Sequence, residues 1–164
     1  MDGLRVRLEG GGGRNTPLFL WGVLAKRVTL RGRFGSVIWN PPRSDFGRAV
    51  DARVIEAAKN YYSTVDWAID LTEATFTSVP SFRFGPPGSL IRRNPETQAL
   101  VRRGRLSASR WHEFAGQIGI WRVVLDSFLE RAWPDEIVLT PSVGQSAAKE
   151  RAGIAMLRKA GVAE

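Results

Sequence analysis

Alternation of apolar and polar residues is the first pattern in the chain. Leu4, Val6 and Leu8 alternate with Arg5 and Arg7, which predicts a half-exposed strand over 4–8. Val28 and Leu30 alternate with Arg27, Thr29 and Arg31, giving a strand with one apolar and one basic face. Residues 17–24 and 36–39 read as further short strands. Gly32-Arg33-Phe34-Gly35 supplies a turn that folds 27–31 against 36–39 as a hairpin, and Asn40-Pro41-Pro42 stops it. Further on, 67–71 and 74–79 predict two strands parted by a turn at Thr72-Glu73. Ile137, Val138 and Leu139, between Pro134 and Pro141, predict a last one.

A second spacing belongs to helices. Val50, Val54, Ala57, Tyr61 and Val65 step by three or four, which predicts a helix over about 46–62 capped by Ser44 or Asp45. Trp111, Phe114, Ile118, Trp121, Leu125, Phe128 and Ala132 alternate steps of three and four. That seam predicts the longest helix, about 109–133, ended by Pro134 and covering its own domain's sheet; a seam shared between subunits is the alternative. Ser142 and Gln145 have the spacing of a capping box, opening a helix that runs to about Ala160. The expected fold is a single α+β domain over 1–164. Its strands are short and mostly antiparallel, with three helices, the longest packed across the sheet. A more α/β-like order around 46–79 is the alternative.

Composition narrows the chemistry. A chain of 164 residues fits one domain. The absence of Cys removes disulfides, thiolate-held metals and cysteine nucleophiles, and His112 alone cannot build a site from several imidazoles. Gly-x-Ser-x-Gly, zinc-ligand spacing and the dinucleotide fingerprint are all missing, so no metal, no cofactor and no catalytic residue is expected. Gly10 to Gly13 could cradle a phosphate, but no Gly-Lys-Ser/Thr follows and the next segment is apolar and extended; a flexible surface loop is the reading. No apolar run approaches the roughly 18 residues of a membrane helix. Asp2 and Glu9 spoil the positive start of a signal peptide, so the expected location is cytoplasmic.

Charge adds the one functional lead. The net charge is +8, and 20 of the 24 basic residues are Arg. Residues 1–43 hold eight basic and two acidic side chains, a balance of +6, and residues 81–110 reach +6 again with seven Arg against Glu96. Between them 44–80 stand at −3, and 111–164 at −1. Leu90-Ile91-Arg92-Arg93 and Leu100-Val101-Arg102-Arg103 resemble each other across Asn94-Pro95-Glu96-Thr97, which predicts an Arg-rich surface hairpin over 89–106. The expected function is non-catalytic nucleic-acid binding to RNA or DNA. Arg–phosphate contacts would come from Arg92, Arg93, Arg102, Arg103 and Arg105, assisted by Arg27, Arg31 and Arg33. Phe34, Phe82 and Phe84, beside turns, are candidates to stack on bases or, equally, to plug the core's edge. The alternative is a protein-interaction or assembly component, a subunit, adaptor or immunity-type protein. It would use the basic face against an acidic partner, or the aromatic-rich helix. A third reading is a small enzyme with an acidic site at Asp66, Asp70 and Glu73, which a strand could present on one face.

Overall fold

Two parallel sheets face each other across a core of Leu30, Val37, Trp39, Leu71, Phe76 and Ile91. The computed structural model describes residues 17–42 and 49–164, and the backbone of 7–10. In the four-stranded sheet, β1 (Arg7–Gly10), β3 (Val28–Phe34), β5 (Ile69–Phe76) and β7 (Ile91–Arg92) lie in that order. In the three-stranded sheet, β2 (Pro17–Trp21), β4 (Ser36–Asn40) and β6 (Ser81–Phe82) do the same. Every pairing in both sheets is parallel. Successive strands therefore belong to different sheets, and the chain coils, adding one strand to each sheet in turn.

This corrects the expectation of mostly antiparallel strands. The fold is α+β, but a parallel pair needs a long connection, and here the strand in the opposite sheet is part of it. The hairpin expected over 27–39 is instead a corner: Gly35 turns the chain from β3 into β4, and the next layer repeats the corner, with Thr77 N–H donating to the Phe34 carbonyl and Ser78 N–H to that of Gly35. The two strands expected at 67–71 and 74–79 are one, β5, with the expected turn at Thr72-Glu73 reduced to an irregularity of register against β3.

One helix, α1 (Ala52–Tyr62), is inserted between β4 and β5. Asp51 caps it, its carboxylate accepting from Arg53 N–H at 2.8 Å; Ser44 and Asp45 lie outside the described residues. Val50, Val54, Tyr61 and Val65 of the predicted stripe pack on the first core, joined by Ile55, Ala58 and Tyr62, while Ala57 is exposed.

The remaining chain builds a second core. β8 (Ala99–Arg102) and β9 (Glu136–Leu139) form the antiparallel pair, with Leu100 opposite Val138 and Val101 opposite Ile137. Leu100 and Val138 belong to the first core; Ala99, Val101, Ile137 and Leu139 belong to the second. Because successive residues of a strand point to opposite faces, this ribbon is a wall shared by both cores. The second core is closed by α2 (Arg103–Ala108), a 3-10 segment at Trp111–Gln117, α3 (Ile120–Leu129) and α4 (Ala147–Lys159).

The single long helix expected over 109–133 is therefore broken. Gly119 takes φ +60°, outside helical geometry, and separates the 3-10 segment from α3. The seam itself is in place: Trp111, Ile118, Trp121, Leu125 and Phe128 are all buried, against the β8–β9 ribbon and α4 rather than across the large sheet. Ala132 is exposed. The last helix begins later than the Ser142–Gln145 spacing suggests, with Ser146 at its N-cap. Ser142 N–H instead donates to the buried Glu150 carboxylate at 2.6 Å. Among the described residues no helix is long and apolar enough to cross a membrane.

Candidate nucleic-acid interface

The outer face of the four-stranded sheet is assembled by register. Thr29, Asp70 and Arg92 occupy one row across β3, β5 and β7; Arg31 and Glu73 occupy the next, and Arg33 stands beside Thr75. At the start of these strands Arg27 grips Asp66 through two nitrogens, its Nη2 at 2.9 Å, and the Arg27 guanidinium holds the Asp66 carboxyl below its ordinary range. Arg31 pairs with Glu73 at 3.1 Å. Asp70 accepts from Thr72 through both N–H and hydroxyl. Each of the three carboxylates thus has its own partner, and among the described residues no group of three or more His, Cys, Asp or Glu is placed to hold a metal ion. The acidic site expected for an enzyme does not converge. His112 is exposed, its ring 4.1 Å from that of Trp111.

The Arg-rich hairpin over 89–106 does not exist. Arg92 ends β7 in one sheet, Arg102 ends β8 in another, and residues 103–108 are helical. Arg102 bonds Glu136 at 3.0 Å and also reaches Glu164, which Arg105 approaches at 3.0 Å. Glu136 is partly buried, which alone would raise its carboxyl; Ser89 N–H and Arg102 outweigh that and hold it low. Arg103 is a tie within the fold, donating to Asp135 and to the Leu129 and Pro134 carbonyls while lying 4.5 Å from the centre of the Phe128 ring.

Arg33, Arg92 and Arg93 are left with no acidic partner among the described residues. Arg92 places its guanidinium 4.2 Å from the centre of the half-buried Trp67 indole. Arg27 is adjacent, its N–H donating to the Trp67 carbonyl, and Lys26 is exposed beside it. The Nε of Arg93 is buried and unbonded. An aromatic flanked by cations thus sits where β3, β5 and β7 begin. Phe82 and Phe84 are buried and Phe34 packs on Phe76 at 5.8 Å, so the Arg-Phe-Gly triplets feed the core. Sequence reasoning missed Trp67, because its alternation with Ile69 and Leu71 assigns it to the inner face.

Comparisons with known protein families, with curated proteins and with solved structures find no match.

Proposed function

We propose that this protein is a non-catalytic nucleic-acid-binding protein whose phosphate contacts centre on the outer face and leading end of the four-stranded sheet. The observation that carries the reading is the Arg92–Trp67 stack beside Lys26 and Arg27. A planar guanidinium over an indole is a surface on which a base can stack while neighbouring cations hold the backbone. Arg31 and Arg33 extend the track along β3, two residues apart on one face, roughly 6.6 Å. The pairs Arg27–Asp66 and Arg31–Glu73 are exposed, so they contribute little to folding and can yield to phosphate. Arg102, Arg103 and Arg105 serve the fold first and are peripheral here.

Fluorescence anisotropy with labelled single- and double-stranded DNA and RNA tests this. Wild-type protein is expected to bind, Arg92→Ala and Arg33→Ala to weaken binding, and Arg105→Ala to leave it nearly unchanged. No binding to any of the probes contradicts the proposal. A second reading, a protein-interaction or assembly component, is favoured by one observation. Phe19, 51 % exposed, and Val23 and Leu24 lie on or just after β2, the outer strand of its sheet among the described residues. A stable oligomer in sedimentation, with no affinity for any oligonucleotide, would select that reading.

A further inference from the structure

A small pocket opens where the two cores meet. Phe82 and Val138 reach it from the first core, Phe128 and Ile137 from the second, and its volume is about 120 Å³. Its polar lining is Ser81, Arg83, Ser127 and Arg131. The half-buried Arg131 donates from Nη2 to the Ser127 hydroxyl, and neither arginine has a carboxylate partner among the described residues. Burial first, and the Arg83 charge second, bring the Arg131 guanidinium down to about 10, with Glu130 offsetting only part.

Two cations lining one apolar-walled pocket repel each other, and the partial burial of Arg131 makes that repulsion stronger than it would be in water. An anion seated between them reverses the sign of both effects. Ser127, having accepted from Arg131, keeps its own proton to donate, and Ser81 supplies a second hydroxyl. Two guanidinium forks and two hydroxyls offer more donors than the two oxygens of a carboxylate can use. A phosphate dianion matches both the charge and the number of donors. We infer that this pocket binds a phosphate group, free or as the monoester of a small apolar body, between Arg83 and Arg131. Neither arginine belongs to the surface assigned above to nucleic acid, so the two proposals stand or fall separately.

Thermal unfolding at constant ionic strength, in inorganic phosphate, phenyl phosphate or acetate, is the test. The melting temperature is expected to rise saturably with both phosphates and not with acetate, since a ligand that binds only the folded state stabilises it by mass action. A larger effect of phenyl phosphate identifies a monoester as the occupant, and a larger effect of inorganic phosphate the free ion. Arg83 is exposed, so Arg83→Ala keeps the fold; Arg131→Lys keeps a charge in place. Each should raise the apparent Kd by about tenfold or more, the scale of one charge-assisted hydrogen bond. An equal rise in all three proteins is an effect on solvent, and acetate binding as well as phosphate removes the phosphate assignment; either overturns the inference.

Discussion

Tyr62 ties three distant parts of the chain together. Its hydroxyl accepts from Ala25 N–H at 3.2 Å, its ring stacks on Trp133 at 6.2 Å, and it closes the inner face of α1. Burial pushes the phenol up to about 12, and the Ala25 donor opposes this only in part. The folded protein therefore holds the proton at a pH where the unfolded chain releases it, near 10. The resulting stability is present in full below about pH 10 and is lost as pH rises toward 12. Urea midpoints across that range should fall more steeply for the wild type than for Tyr62→Phe, and parallel slopes would contradict this. Asp51 acts at the other end of the scale. Its bonds to Arg53 hold the carboxyl down to about 2, so its contribution is present above about pH 4 and is lost as acid protonates it.

At the scale of elements, two glycines in helices make opposite predictions. Gly153 lies inside α4, where a methyl would stand 2.6 Å from Trp121 Cδ1 and 2.9 Å from the Ile118 carbonyl oxygen. Trp121 cannot yield easily, because its indole N–H donates to the Glu150 carbonyl at 2.7 Å. Gly153→Ala should destabilise, since overpacking costs about 1–3 kcal/mol against roughly 1 kcal/mol gained in helix propensity. Gly104 in α2 has nothing within 4 Å of the added methyl, so Gly104→Ala should stabilise by roughly 0.5–1 kcal/mol. Urea denaturation of both variants checks the signs. The sequence made such elements legible but not their partners. Alternation announced β3, and short apolar runs β4 and β9, yet neither pattern distinguishes parallel from antiparallel neighbours, and a corner at Gly35 reads like a hairpin turn. Steps of three and four found the buried seam of Trp111 to Phe128, but the same steps fit two segments broken at Gly119. Arg31 and Glu73 are far apart in sequence, so no count of local charge could pair them.

At the scale of the molecule, the β8–β9 ribbon contributes side chains to both cores and is expected to couple their unfolding. With Leu100 in one core and Val101 in the other, neither can empty without moving the same backbone. Urea unfolding followed by near- and far-ultraviolet circular dichroism should give coincident transitions. Leu100→Ala, at about 2–5 kcal/mol, should shift the single midpoint without dividing it. Two separated transitions would refute the coupling. Charge is rearranged at the same scale. Among the described residues, acidic side chains interrupt the two basic segments: β5 brings Asp70 and Glu73 between the arginines of β3 and β7, and Glu136 and Glu164 answer Arg102 and Arg105. Arg33, Arg92 and Arg93 have no carboxylate partner among the described residues, and Arg92, with Trp67, Lys26 and Arg27 beside it, is the centre of the proposed nucleic-acid surface. The most direct test is the affinity for a labelled single strand at several salt concentrations. Counterion release predicts that log K falls linearly with log salt, by about 0.7 for each phosphate neutralised, and that Arg92→Ala removes about one such contact from the slope. Binding that ignores salt, or a slope that Arg92→Ala leaves unchanged, would contradict the assignment.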